Sequence, residues 1–151
     1  MAIKMKTVVT TRLSADCPSH SRSNISARDT SAVIDEPLER DGTNEGPSPT
    51  ESGVAALVGC TNTIGHKCAK KLGVDIGHLK IDAAFQLDRR GVLLQEEIEV
   101  PFVSVTLEVQ CSGAAPQADV DRVAVETEKY CALSKLFINA GTKVEVNWHS
   151  A

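Results

Sequence analysis

Residues 48–73, SPTESGVAALVGCTNTIGHKCAKKLG, decide the fold class because they predict one long helix. Ser48 and Glu51 form a capping-box pattern around a proline at the first helical position, and a glycine supplies the stop. The segment GVAALVGC carries no charge on any face, which is typical of a helix that is buried on all sides. A polar arc begins only beyond Cys60. We therefore predict a helix over Pro49–Leu72 that is held mainly by tertiary packing.

Apolar and polar residues alternate on both sides of this helix, which is the pattern of half-buried β-strands. The segment 119–141 instead has apolar residues at helical spacing and predicts a second helix that ends at a glycine. The order of strands, long helix, strands, helix and strand predicts an α+β fold, because a doubly wound sheet alternates strictly. The predicted strands are 3–13, 23–28 and 31–35 before the long helix, 79–87 and 103–111 after it, and 144–148 at the end.

A stretch rich in proline, glycine and charge, PLERDGTNEGPSP, precedes the long helix and cannot contribute to a core. It predicts a surface loop over 37–48. The loop separates an N-terminal strand unit, 1–36, from a helix-strand-strand-helix-strand unit, 49–151. Each part is too small to be stable alone, so we expect residues 1–151 to form a single domain.

The composition excludes several classes of function. The net charge is −4 and aromatic residues make up only 3% of the chain, which is a poor match to nucleic acid or to an anionic membrane. No apolar run approaches the roughly 20 residues that span a bilayer, and the start, MAIKMKTVVTT, lacks the apolar stretch of a signal peptide. We therefore expect a cytoplasmic protein with neither a nucleic acid nor a membrane as its partner.

The five cysteines are the candidates for chemistry, and their odd number without a Cys-x-x-Cys pair argues against a disulfide framework. Cys68 and Cys111 fall on apolar faces and are expected in the core, whereas Cys17 lies in a turn-rich loop. Cys60 lies where the uncharged half of the helix meets the polar half. Cys131 lies where EKYCALSKL changes from charged to apolar. A Cys60–Cys131 pair requires the two helices to meet, which both apolar faces allow.

From this pattern alone, Cys60 is either a structural cysteine or a thiol that a small substrate can reach. It lies too deep in the helix for the helix dipole to favour its thiolate, because that effect fades within the first turn. A reactive Cys60 therefore needs a nearby cation. The candidates are the arginines of the N-terminal strands, Arg12, Arg22 and Arg28.

Two spaced cysteine motifs, GPSPTESGVAALVGCTN at 46–62 and EKYCALSKLF at 128–137, together resemble the OsmC/Ohr family of organic-hydroperoxide-reducing proteins. The segments VIDEPLERDGTNEGPSPTE and AGTKVEVNW resemble its OsmC-like branch, so that the resemblance covers 32–148. It implies an α+β fold in which antiparallel sheets pack on a long central cysteine-bearing helix and on a second helix. It also implies an intertwined homodimer with active sites at the subunit interface.

The resemblance further assigns roles to individual residues. The first cysteine of the family, here Cys60, is the peroxidatic thiolate, and the second, here Cys131, resolves the sulfenic acid to a disulfide. An arginine stabilises the thiolate, and Arg22 fits its placement best, with Arg28 as the second choice. The implied substrate is a small organic hydroperoxide. An external dithiol, such as one of the lipoyl type, reduces the disulfide, so neither a bound cofactor nor a metal is expected.

The sequence departs from the family pattern near both cysteines. Family peroxidases place a glutamate that holds the arginine ten residues before the first cysteine, and here that position is Thr50. Glu51 follows it, but the capping box accounts for that residue. Ala132 stands where a proline commonly follows the second cysteine.

Two other hypotheses remain open at this stage. A dimeric binding or stress-associated protein could keep the fold and an apolar interface pocket without fast chemistry, and Thr50 favours that reading. A metal site could in principle use Cys60, His66, Cys68 and Cys131. However, His66 lies about 120° or more around the helix axis from either helical cysteine, so no compact set of ligands is expected.

Overall fold

The computed structural model describes residues 5–151 and has the mixed α+β architecture expected from the sequence. Its internal contacts divide the chain into two compact units, Met1–Ser52 and Gly53–Ala151. The elements are β1 Ser14–Asp16, β2 Ser23–Ala27, β3 Thr30–Ile34, a 3-10 turn Leu38–Arg40, α1 Pro49–Leu72, β4 Leu79–Leu87, β5 Phe102–Cys111, α2 Gln117–Tyr130, α3 Ala132–Asn139 and β6 Lys143–His149.

The first unit contains an antiparallel sheet in the order β1-β2-β3. The strands predicted at 23–28 and 31–35 are confirmed as β2 and β3. The strand predicted over 3–13 is wrong for residues 5–13, and residues 3 and 4 lie outside the described residues. The alternating apolar residues of that segment remain exposed, with Leu13 exposed to 67%, and alternation yields a strand only where one face is buried against a partner.

A buried carboxylate organises the loop that leads to the long helix. The side chain of Asp35 is fully buried and accepts hydrogen bonds from the backbone N–H of Glu36 (2.8 Å), Thr43 (3.2 Å) and Glu45 (3.1 Å). It also accepts one from the Thr43 hydroxyl (2.5 Å). These bonds, the Thr43 hydroxyl above all, hold the pKa of Asp35 well below its ordinary range. The proline- and glycine-rich loop is therefore tied to the end of β3.

Asp35→Asn is expected to lower the Tm at pH 7 by about 5 °C or more. The substitution replaces one carboxylate oxygen, which accepts hydrogen bonds, with an NH₂ group, which would face N–H and O–H donors. The depressed pKa of Asp35 means that its contribution is present above about pH 4 and is lost as the pH falls below that value. The Tm difference between the wild-type protein and the variant should therefore be smaller at pH 3 than at pH 7. Thermal denaturation at both pH values measures it.

The matched control is Asp41→Asn, which makes the same change at an exposed residue of the same loop. It should leave the Tm nearly unchanged. An Asp35→Asn protein that melts like the control at pH 7 would contradict the role given to this carboxylate.

The long helix α1 has the predicted bounds and the predicted cap. The Ser48 N–H donates to a Glu51 carboxylate oxygen at 2.7 Å, and the Glu51 N–H donates to the Ser48 hydroxyl at 3.4 Å. Gly73 ends the helix with a φ of +68°, in the left-handed region that glycine adopts without strain. The capping box and the glycine stop are both confirmed.

The second unit contains a sheet in the order β4-β5-β6, in which β4 and β5 are antiparallel and β5 and β6 are parallel. The expectation of purely antiparallel sheets is thus wrong for the last pair, because the chain returns to the sheet through a helical crossover. The buried core joins one face of α1 to this sheet and to the following helices. Its members are Val54, Leu57, Cys68, Ala69, Ile76, Val105, Leu107, Val109, Cys111, Val120, Val123, Cys131, Phe137 and Trp148.

The predicted second helix over 119–141 is two helices, α2 and α3, which meet at Cys131. The backbone of Cys131 is extended there, with φ −72° and ψ 107°, so that one residue ends α2 and begins α3. The apolar periodicity continues through the break, because both helices bury a face in the same core. Periodicity alone therefore does not reveal the break. Within residues 5–151, no helix combines the length and the apolar character needed to cross a membrane.

Candidate active site

Cys60 differs from the other cysteines in its exposure. Cys68 and Cys111 are buried in the core, as predicted, and Cys17 is exposed. Cys60 is half-buried on α1, next to the buried Thr61. It packs partly against the core and is less buried than Cys68, Cys111 and Cys131.

Cys60 packs against the buried core cluster that contains Cys131. Its thiol is near enough to Cys131 to raise the pKa of the Cys131 thiol. Cys131 is only 2% exposed. Its sulfur accepts a hydrogen bond from the Ser134 N–H at 3.4 Å, and it thereby caps the N-terminus of α3. The backbone break at Cys131 therefore directs its sulfur toward both the α3 amides and Cys60.

The two thiols have different electrostatic surroundings. Burial raises the pKa of Cys131, and the neighbouring Cys60 raises it further, whereas the Ser134 N–H opposes the shift. No cation contributes to this shift among the side chains of the described part of the chain. Cys131 is thus held as a neutral thiol near pH 7 beside the more accessible Cys60. Because the thiolate is the nucleophile, Cys131 reacts only when its proton is removed.

A cleft of about 250 Å³ opens beside Cys131 within the second unit. Trp148 and several aliphatic side chains form its walls, and Glu128 is its one ionisable wall residue besides the cysteine. Polar side chains, Thr61, Thr127 and Ser134 among them, share the lining with the apolar ones. The residues that line it are Thr61, Ala124, Val125, Thr127, Glu128, Cys131, Ser134, Ile138, Val144, Val146 and Trp148.

The arginines predicted near Cys60 belong to the first unit. Arg22 directly precedes β2, is about one-third exposed, and forms an ion pair with Glu45. Arg28 lies in the turn between β2 and β3 with a φ of +57°, and Arg12 is exposed before β1. Of the three, Arg22 alone forms an ion pair among residues 5–151. Its role toward Cys60 stays a prediction.

The metal hypothesis finds little support in the side-chain geometry. In the region covered by residues 5–151, no group of three or more His, Cys, Asp or Glu side chains is placed to hold a metal ion. His66 instead contacts the backbone carbonyl oxygens of Asn62 (2.9 Å) and Gly77 (3.0 Å) with its two ring nitrogens. Both ring nitrogens of His66 are therefore engaged by backbone carbonyl oxygens.

Three contacts were not predicted from the sequence. In the second unit the Ser134 N–H donates to the Cys131 sulfur, which caps α3, and Trp148 forms a wall of the cleft. In the first unit Glu45 pairs with Arg22. A cysteine is not a usual helix N-cap, so the spacing of Cys131 and Ser134 gave no capping signal. Trp148 belongs to the predicted strand 144–148, but its contact with the cleft depends on long-range packing, and the Glu45 contact depends on a loop conformation.

A model of the OsmC-like protein family matches residues 42–147 of the chain. No curated protein sequence matches it. Among solved structures, the chain is similar to an OsmC-like protein from Mycoplasma pneumoniae, with 12% identity, a TM-score of 0.80 and coverage of 95% of this chain and 98% of that one.

Two further solved structures carry more specific names. One is an organic hydroperoxide resistance protein from Elizabethkingia anophelis, with 14% identity, a TM-score of 0.70 and coverage of 97% of this chain and 100% of that one. The other is the organic hydroperoxide resistance protein OhrB of Bacillus subtilis, with 16% identity, a TM-score of 0.65 and coverage of 93% and 98%. At these identities the likeness establishes a shared fold, and it agrees with the predicted α+β class.

Proposed function

The chain belongs to the OsmC-like protein family, and from this premise we propose that it reduces organic hydroperoxides with the thiols of Cys60 and Cys131. The observation that carries the proposal is that the half-buried Cys60 packs against the core cluster that contains the buried Cys131, although the two residues are 71 positions apart in sequence. The names of structural relatives, organic hydroperoxide resistance proteins, support the same class of substrate.

The proposed reaction has two steps. The Cys60 thiolate attacks the distal oxygen of ROOH, the O–O bond breaks, and the alkoxide takes a proton and leaves as ROH, so that Cys60 becomes a sulfenic acid. The sulfur of Cys131 then attacks the Cys60 sulfur. The hydroxyl group of the sulfenic acid leaves as water with the Cys131 proton, and a Cys60–Cys131 disulfide remains.

The surroundings of Cys131 fit this second step. Its raised pKa keeps it neutral until the sulfenic acid forms beside it, and the Ser134 N–H stabilises charge on the sulfur as its proton departs. A dithiol, of which the lipoyl type is one example, then reduces the disulfide by two thiol–disulfide exchanges. The proposed reaction uses the redox-active cysteine pair and needs no bound cofactor.

The proposal has three further parts, namely a role for Arg22, a homodimer and a cytoplasmic location. Arg22 is proposed to stabilise the Cys60 thiolate, as the family resemblance implies. A second copy of the chain is supported by a strip of small exposed residues on α1 beside Cys60, namely Ala55, Ala56 and Gly59. A Cβ added at Gly59 would meet no atom within 4 Å, so that there is room for a partner helix to approach.

The test is a stoichiometric oxidation. One equivalent of cumene hydroperoxide should convert the reduced protein to a species about 2 Da lighter, with the Cys60 and Cys131 peptides linked, because two thiols lose two hydrogens. Mass spectrometry of the intact protein and of a nonreduced digest measures both. Cys17→Ser, which changes an exposed cysteine, should react like the wild-type protein. A linked pair other than Cys60–Cys131 would contradict the assignment.

A second candidate function is a dimeric binding or stress-associated protein without fast peroxidase chemistry. Thr50 favours it, because the family's arginine-holding glutamate is missing at that position. In this case Cys60 should stay reduced under hydroperoxide, while an apolar ligand raises the Tm. The same oxidation experiment therefore separates the two functions.

A further inference from the structure

The cleft beside Cys131 has three buried hydroxyl groups in its lining. Thr61 of α1, Thr127 of α2 and Ser134 of α3 contribute one each. These side chains are only 2%, 4% and 4% exposed. The inner part of the cleft is therefore polar, although aliphatic side chains form much of its wall.

Two of these hydroxyls have no partner within the protein. The Thr127 hydroxyl donates to the Val123 carbonyl oxygen at 2.7 Å, whereas those of Thr61 and Ser134 make no hydrogen bond within residues 5–151. In that same part of the chain, no fully enclosed side-chain oxygen or nitrogen lacks a partner. Both hydroxyl oxygens are therefore open to the cleft that their residues line. Because buried hydroxyls are nearly always hydrogen-bonded, the pair favours a ligand with an oxygen atom there.

The charge of the cleft is negative. Glu128 is an exposed residue of the lining, and within residues 5–151 its carboxylate forms no ion pair. Cys131, the other ionisable residue of the lining, is neutral near pH 7 because burial raises its pKa. The cleft therefore attracts a cation and repels an anion.

The rest of the lining is apolar. Burial of an apolar chain against such walls contributes about 25 cal/mol per Å² of surface removed from water. The volume of about 250 Å³ is at the small end of ligand sites, so the chain must be short. The apolar side chains are Ala124, Val125, Ile138, Val144, Val146 and Trp148.

We propose that this cleft binds a small organic ammonium ion with a short apolar body and a hydroxyl or carbonyl oxygen at its other end. The ammonium group donates to the Glu128 carboxylate, the body packs against Trp148, and the oxygen meets the hydroxyls of Thr61 and Ser134. The inference goes beyond the proposed function, because hydroperoxide reduction needs no cation and the bound amine is not chemically changed.

Trp148 provides a local probe of binding, because it is the only tryptophan of the chain and it lines the cleft. The experiment titrates 6-aminohexan-1-ol into the reduced, full-length protein at pH 7 and follows tryptophan emission. Three analogues are compared: 1,6-hexanediol lacks the charge, hexylamine lacks the oxygen, and 6-hydroxyhexanoate carries the opposite charge. The amino alcohol should bind about tenfold more tightly than the diol and several-fold more tightly than hexylamine, and the anion should bind least.

Glu128→Gln tests the contact with the ammonium group. It should weaken binding of the amino alcohol about tenfold and leave binding of the diol unchanged. The matched control is Glu145→Gln. Glu145 lies between Val144 and Val146, and alternation along the strand turns its exposed side chain away from the cleft. Its ion pair with Lys143 is exposed and adds little stability, so this variant should bind the amino alcohol like the wild-type protein.

Two further variants test the remaining contacts. Glu128→Lys should reverse the preference, so that 6-hydroxyhexanoate binds more tightly than the amino alcohol. Ser134→Ala should weaken the amino alcohol several-fold and leave hexylamine unchanged, because hexylamine has no oxygen to lose a partner. Unchanged binding of hexylamine also shows that the Ser134→Ala cleft is intact, since the N–H that caps Cys131 belongs to the backbone.

Several results would overturn the inference. One is equal affinity for the amino alcohol and the diol, and another is an equal effect of Glu128→Gln and Glu145→Gln. Tryptophan emission that none of the four compounds changes would show that the cleft is closed or filled by another part of the protein, and it would overturn the inference as well. None of these results depends on whether the protein reduces hydroperoxides.

Discussion

Cys60→Ser is expected to slow the consumption of organic hydroperoxide by about a thousandfold or more. A serine hydroxyl is not ionised at neutral pH, and its oxygen does not take up a peroxide oxygen as a thiolate sulfur does. The substitution is close in size at a half-buried position of α1, so the fold should persist. Steady-state consumption of cumene hydroperoxide with an excess of dithiol, followed by a peroxide-specific dye, measures the effect.

Two other cysteines serve as controls. Cys131→Ser should still take up one equivalent of hydroperoxide in a single turnover, and it should stop at the Cys60 sulfenic acid, because the partner sulfur is missing. Cys111→Ser changes a buried core cysteine and tests whether mere disturbance of the fold lowers the rate. A Cys60→Ser protein that keeps half of the wild-type rate would place the chemistry on another residue.

Gly65→Ala is expected to lower the free energy of unfolding by about 2 kcal/mol or more. A Cβ at Gly65 would lie 2.6 Å from the Cη2 atom of Trp148, whose side chain is buried in the core. The better helix propensity of alanine opposes this loss by only about 1 kcal/mol. Chemical denaturation followed by circular dichroism measures the difference.

The control for this effect is Gly53→Ala on the same helix. A Cβ there meets a single atom, Cζ of Phe137, at an ordinary 4.0 Å, so that this variant should be as stable as the wild-type protein or slightly more stable. Trp148→Phe should recover part of the loss in the Gly65→Ala background, because the smaller ring vacates the contact. If both alanine variants have wild-type stability, the close packing of α1 on β6 at this point is refuted.

The long helix could be predicted from local chemistry alone. Its capping box, its uncharged half and its final glycine each act within a few residues, so the bounds Pro49–Leu72 follow from sequence. The strands β4 and β5 also follow, because their apolar and polar residues alternate. The Arg28–Asp29 turn marks β2 and β3 on either side of it. The N-terminal segment before β1 shows the limit of that rule, since alternation without a covering partner left residues 5–13 outside any strand.

The details of the site depend on contacts that sequence patterns do not encode. The break at Cys131 is set by one extended residue between two helices that share an apolar face, so the periodicity passes through it unchanged. The pairing of Arg22 with Glu45 depends on how Asp35 folds a loop. Cys60 and Cys131 were singled out from sequence, yet their meeting at one core cluster requires α1 and the crossover to pack together.

The parallel pairing of β5 with β6 bears on the order of events during synthesis. The second sulfur is carried on the crossover, and the strand that pairs in parallel with β5, Lys143–His149, follows that crossover in sequence. A nascent polypeptide has Cys60 long before it has a docked Cys131. Because parallel pairing joins segments that are distant in sequence, we expect the proposed Cys60–Cys131 pair to assemble late in folding. Until then Cys60 of the ribosome-bound chain lacks the partner sulfur of the proposed disulfide.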